Sequence, residues 1–354
     1  MVRLFDPIRL GSIEAANRVF MAPMTRGRAT RDHVPTPIMA QYYAQRASAG
    51  LIITEAIGVS LQGQAWPYAP GIWNSEQVEA WKAVTEAVHE AGGRIVAQLW
   101  HMGRLTHSSF PGRGRPISAS ATTAPGLAQT YNGKLPYEPA RPLELDEITA
   151  LVDQFAYAAR NAIRAGFDGV QIHAANGYLL DQFLRSSTNL RGDKYGGSFE
   201  NRIRFLGDVT IAVSQDIGAG RTAVRLSPNG EIKGVNDDHP EELFVAAAKM
   251  LSALGIAFLE VREPDFDGTN GKADRPAIAP LMRAAFNGPL VLNSDYDVDK
   301  AQAVLDTGQA DAIAFGRPFI ANPDLPARFA SGAALSPPDP TFWYSRGVEG
   351  YTEP

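Results

Sequence analysis

The 354-residue sequence contains no cysteine. That excludes disulfides, thiolate metal sites and a cysteine nucleophile, and it suits a reducing cytoplasm. There is no uninterrupted apolar run of about 18 residues, so no helix is expected to span a membrane. Asp6 and Pro7 interrupt the short apolar start, so a signal peptide is not expected. Histidine is scarce: the six are scattered, and His101 and His107 lack the i, i+4 spacing of a zinc pair, so no metal is expected. No Gly-x-Ser-x-Gly nucleophile elbow occurs. Basic runs are missing as well, and the net charge of −5 makes nucleic acid an unexpected partner. What is present, 45% hydrophobic and 20% charged residues, is the composition of a globular enzyme with ample material for a core.

Strand-like apolar runs recur at 18–24, 51–56, 94–100, 169–174, 222–227, 256–261, 289–293 and 311–315. Helical patterns follow them at about 37–49, 75–91, 146–165, 199–217, 240–254, 276–286, 297–307 and 323–330. In 146–165, Ile148, Leu151, Val152, Phe155, Ala159, Ala162 and Ile163 fall on one face, with Asp146 as the expected N-cap and Gly166 past the end. Eight strand–helix units without a composition break read as one α/β domain over 1–354, a (β/α)8 TIM barrel. A doubly wound open sheet is the alternative. It is weakened because Ala22-Pro23-Met24-Thr25 stands where a Gly-x-Gly-x-x-Gly turn would follow the first strand. Residues 104–142, rich in Gly, Pro, Ser and Thr, interrupt the repeat after the third strand and are expected to form a lid over the barrel mouth. The aromatic tail, 336–354, is expected to pack back near the active site.

In such a barrel the C-terminal strand ends carry the chemistry. Here they gather polar groups: Thr25-Arg26, Glu55, Gln98 to His101, His173 to Asn176, Arg225 to Ser227, Glu260, Asn293-Ser294-Asp295 and Gly316-Arg317. His173 and Asn176 place two hydrogen-bond donors near each other, with the phenol of Tyr178 close behind. That set suits a substrate carbonyl that gains negative charge during reaction. A satisfied buried histidine beside an Asn-Gly turn is the alternative. The ends of strands seven and eight lie where barrels hold a phosphate, and Arg317 could grip it bidentately or form an ion pair at a helix start. Gln98 and Arg225 suit a flat heterocycle with donor and acceptor edges, such as a flavin pyrimidine; a buried carboxylate would equally satisfy Arg225. An aldolase or phosphate-ester enzyme would need a lysine or a metal cluster at a strand end, and no strand end carries a lysine. A non-catalytic flavin carrier also remains open.

Several stretches together resemble the Old Yellow Enzyme family of FMN-dependent ene-reductases. They are Leu4-Phe5-Asp6-Pro7, Asn17-Arg18-Val19, Ala22-Pro23-Met24-Thr25-Arg26, Gln98-Leu99-Trp100-His101-Met102-Gly103-Arg104, 173–184, 193–198, Glu200-Asn201-Arg202 and Phe315-Gly316-Arg317-Pro318. The resemblance covers essentially the whole chain. It implies a non-covalent FMN lined by Pro23, Met24 and Thr25, met by Ala56 and Gln98 at its polar edge, and met by Arg225 at its N1–O2 side. Asn293, Ser294, Asp295, Gly316 and Arg317 would hold the phosphate. His173 and Asn176 would bind the substrate oxygen and Tyr178 would donate the proton, all three counting as catalytic; Tyr68, Trp100 and Tyr351 would be pocket walls. The implied reaction has two stages: NADPH or NADH reduces FMN, and hydride then passes to the β-carbon of an enone, enal or nitroalkene, with protonation of the α-carbon. A cytoplasmic monomer or homodimer acting on small molecules is expected. Two features depart from the pattern. The loop after strand seven is glycine-rich in many members and here is Asn293-Ser294-Asp295; a carboxylate beside a phosphate is unfavourable unless it points away, so the backbone N–H groups are the better phosphate ligands. Position 25 is Thr, which excludes thiol tuning of the flavin.

Overall fold

Eight parallel strands close into a barrel, in the order in which the chain makes them. They are β1 (Val19–Met21), β2 (Ile52–Gly58), β3 (Ile95–Trp100), β4 (Gly169–Ala174), β5 (Thr222–Leu226), β6 (Phe258–Arg262), β7 (Leu290–Asn293) and β8 (Ala312–Phe315). The structure is a computed structural model and describes residues 3–269 and 271–353. Each strand falls on one of the expected runs. β1 stops short because Pro23 has no N–H to give a ladder.

Side chains alternate across the barrel wall. Val19, Met21, Leu259, Val261, Leu290 and Leu292 face outward into the main core shared with the helices. Phe20, Val96, Ala223, Phe258, Val291 and Ala312 face inward and fill the barrel. Two residues further along β3, β5, β6 and β7, the same inward parity brings Gln98, Arg225, Glu260 and Asn293. The apolar filling is therefore capped, at the C-terminal end, by a polar layer. At the opposite end a hairpin of Ile8–Leu10 and Ile13–Ala15, absent from the sequence reading, inserts Leu10 and Ile13 into the inner cluster.

Helices occupy the expected positions. The long one, Leu145–Arg164, buries Ile148, Leu151, Phe155, Ala159 and Ala162. Its N-cap is Glu144 rather than the expected Asp146, because Glu144 and Glu147 form a reciprocal capping box. Arg141 then pairs with both oxygens of Glu147 at 2.6 and 2.7 Å. The helix expected over 199–217 is two pieces, Phe199–Arg202 and Arg204–Ile217.

Segment 104–142 is a small substructure. It contains the hairpin Leu127–Thr130 with Gly133–Pro136 and a two-residue pairing of Ile117–Ser118 with Arg141–Pro142. Leu105, Phe110, Ala124, Ala128 and Tyr137 bury a cluster against Trp100 and Met102, with Tyr178 packed on it. None of its residues lines the cavity at the barrel mouth. The segment expected to cover the mouth instead backs its wall, because its apolar side chains find partners there.

Candidate active site

A cavity of about 920 Å³ opens at the C-terminal strand ends. This lies at the upper end of the range for small-molecule and cofactor sites. Pro23, Met24, Thr25 and Ala56 form one side of it. Gln98, Arg225 and Asn293 line it from the polar layer, and Ser294, Asp295, Gly316 and Arg317 from the β7 and β8 loops. His173, Asn176 and Tyr178 line the same cavity.

Three residues expected as walls do not line it. Tyr351 is fully buried and stacks on Tyr42 with ring centroids 4.0 Å apart, behind Arg26 and Arg28. Trp100 lies behind Tyr178, its ring edge-on at 4.9 Å. Tyr68 is occupied elsewhere, edge-on to Tyr131 and under the Arg346 guanidinium. Aromatic character alone does not separate a wall from its backing. Trp66, Ile232, Lys233 and Tyr344 line the cavity and were missed. Tyr344 follows Trp343, whose carbonyl accepts from Arg26 at 3.1 Å and Arg28 at 2.9 Å, so two buried arginines fix the tail at that point.

β4 delivers His173 inward and then breaks. Asn176 has φ +59° and Gly177 φ +79°, the left-handed pair of an Asn-Gly turn. The turn is pinned by Asn176 N–H to Ser227 Oγ at 2.8 Å and Gly177 N–H to Asp181 Oδ2 at 2.9 Å. A Cβ at Gly177 would stand 3.0 Å from the Ile232 carbonyl. Tyr178 follows in extended conformation, and its ring lies 5.0 Å from that of His173.

Electrostatics set the proton states. Burial, helped by the Arg225 charge, holds the His173 imidazole well below its ordinary pKa, so it stays neutral. Burial pushes the Tyr178 hydroxyl up, so it keeps its proton. His173 Nδ1 and Asn176 Oδ1 are buried without a hydrogen-bond partner among the described residues. Satisfied-histidine packing would not leave such an atom, and both side chains line the cavity, where Nε2 of His173 and Nδ2 of Asn176 are the donors left to a ligand.

The Arg225 guanidinium meets the carboxylate that the sequence reading left open: Nε donates to Glu260 at 2.8 Å and Nη2 to Asn293 at 2.7 Å. Nη1 has no protein partner among the described residues and belongs to a cavity-lining side chain. Asn293 thus meets the site through its side chain rather than its backbone alone. Arg317 donates to both Asp295 and Thr269 Oγ1, so its ion pair exists before any phosphate arrives. A planar ring over the polar layer and an anion at the β7–β8 loops fit this donor set. Metal ligands are absent: no group of three or more His, Asp or Glu suited to a metal occurs among the described residues.

Fold and site together define a flavin-type oxidoreductase on a barrel. Residues 3–336 match the model of the NADH:flavin oxidoreductase / NADH oxidase family. An old yellow enzyme homologue from Zymomonas mobilis superposes with a TM-score of 0.98 at 62% identity, covering 99% of both chains. Morphinone reductase in complex with tetrahydroNAD gives a TM-score of 0.94 at 46% identity, over 100% of this chain and 97% of the other. A probable flavin mononucleotide-dependent alkene reductase of Leishmania infantum is 42% identical over 99% of this chain and 96% of its own length. The chain belongs to the NADH:flavin oxidoreductase / NADH oxidase family, on its old yellow enzyme side. It is an FMN-dependent ene-reductase driven by a reduced nicotinamide.

Proposed function

We propose that the polar layer, Pro23, Met24, Thr25 and Ala56 hold FMN non-covalently, with its phosphate at Ser294, Asp295, Gly316 and Arg317. When bound, FMN supplies hydride chemistry, accepting from NADPH or NADH and donating to the β-carbon of an activated alkene. The protein's own part is electrostatic and protonic. His173 and Asn176 donate from Nε2 and Nδ2 to the carbonyl or nitro oxygen, and these bonds strengthen as negative charge grows there. Tyr178 holds a proton at Oη for the α-carbon. Trp66, Ile232 and Tyr344 exclude water around the alkene. A reduced nicotinamide donor suits a cytoplasmic enzyme that acts on small diffusible molecules as a monomer or homodimer. No helix among the described residues is long and apolar enough to cross a membrane.

One observation carries the reading. Two unpartnered polar side chains and a protonated phenol share one cavity with the partly unpaired Arg225. Anaerobic steady-state oxidation of NADPH should depend on 2-cyclohexenone and yield cyclohexanone. A yellow protein that turns over no enone would be a flavin carrier, and the proposal would fall.

A further inference from the structure

One buried carboxylate has no part in the reaction just described. Glu260 on β6 is fully buried, and its two oxygens take different donors. Arg225 Nε donates to Oε1 at 2.8 Å, and Gln171 Nε2 donates to Oε2 at 2.6 Å. A carboxylate only accepts, so the Gln171 amide must turn its nitrogen toward Glu260 and its oxygen away. That oxygen accepts from Gln98 Nε2 at 2.8 Å. The Gln98 amide is thereby fixed as well, with its nitrogen committed to Gln171 and its carbonyl oxygen left for the cavity that Gln98 lines. On the other side, Arg225 Nη2 donates to Asn293 Oδ1 at 2.7 Å, and Asn293 Nδ2 donates to the Ala314 carbonyl at 2.7 Å. One chain of hydrogen bonds thus runs across β3, β4, β6, β5, β7 and β8, and Glu260 is its only pure acceptor among the side chains.

We propose that Glu260 is a positioning residue for the cofactor, acting through both neighbours. It offsets the Arg225 charge and aims the guanidinium so that Nη1 faces the cavity. Through Gln171 it makes Gln98 present an acceptor to the cavity. An acceptor beside a cationic donor matches a cyclic imide, whose N–H needs the former and whose carbonyl needs the latter. The inference rests on FMN being the occupant, since its pyrimidine ring is such an imide. A purely structural Glu260 would balance one buried arginine and leave the cofactor's properties alone.

Two variants of the holoenzyme separate these roles. Glu260→Gln keeps the shape and removes the charge, leaving Arg225 uncompensated in the cavity wall. The midpoint potential of bound FMN should rise by at least about 30 mV, tenfold in the reduction equilibrium of a two-electron couple, while Glu260→Asp, which keeps the charge, should stay closer to wild type. Gln171→Met leaves the Arg225–Glu260 pair intact but disconnects Gln98. It should speed FMN release from diluted holoenzyme by about tenfold, with the reduction equilibrium of bound FMN within about twofold of wild type. A Glu260→Gln potential like that of wild type overturns the proposal, as does a Gln171→Met release rate like that of wild type. Should Glu260→Gln not fold, the Gln171→Met release rate still decides. Wild-type protein that carries no FMN would instead overturn the cofactor assignment on which the inference stands.

Discussion

Tyr178 is the residue at which chemistry and packing are hardest to tell apart. Its ring is edge-on to both Trp100 and His173, as a purely structural aromatic would be. Its hydroxyl, held protonated by burial, is what makes it a proton donor. The two roles differ in one half-reaction only, because reduction of FMN by NADPH needs no proton delivered to carbon. Tyr178→Phe should leave flavin reduction within a few-fold of wild type and slow reoxidation by 2-cyclohexenone by at least about tenfold. Anaerobic stopped-flow reads both steps; equal slowing of the two would make Tyr178 a wall. His173, Asn176 and Tyr178 were legible in the sequence because they sit together on one strand end. Glu260 was visible as a strand-end residue, but its role was not. Its partners are Gln171 and Arg225 on other strands, and only register brings those together. Tyr351 failed as a wall for a related reason: nothing in its neighbourhood in the chain shows that Tyr42 takes its face.

Among the elements, the loop after β7 departs furthest from ordinary backbone. Ser294 has φ +147° and Asp295 φ +41°, both in territory that favours glycine. The strain is held by Asp295, which accepts from the Thr269 N–H at 2.9 Å and pairs with Arg317. A carboxylate here competes with a phosphate for the same arginine. Asp295→Asn should therefore bind FMN roughly two- to fivefold more tightly, the worth of one partly exposed charge pair, as read by FMN release on dilution. Weaker binding would mean that Asp295 chiefly shapes the loop. The sequence reading left Arg317 open between a phosphate and an ion pair at a helix start, without naming Asp295 as the partner. Strands and long helices were legible because their periods repeat over many residues. The N-terminal hairpin was not, since its Leu10 and Ile13 become core only when a barrel exists for them to plug. Segment 104–142 read as a lid because Gly and Pro signal a loop; the cluster of Phe110, Ala124 and Tyr137 that holds it down is scattered in the chain.

For the whole molecule, the barrel separates stability from chemistry. Its interior is apolar from the hairpin plug up to Phe258 and Val291, then polar from Gln98 to Asn293, and the cavity stands above that layer. The parity that makes a strand's inward side chains apolar at one end makes them functional at the other, so fold and site were written in the same pattern. One cavity collects the residues assigned to the cofactor and to the substrate, and in the proposed cycle nicotinamide and alkene use it in turn. The most direct test is anaerobic stopped-flow of the wild-type protein in two mixes. NADPH alone should bleach the yellow flavin completely. After the oxidised nicotinamide is removed, one equivalent of 2-cyclohexenone should restore the colour and appear as cyclohexanone, with excess NADPH slowing that second step. Reduced flavin that the enone does not reoxidise, or an allylic alcohol as product, would contradict the account.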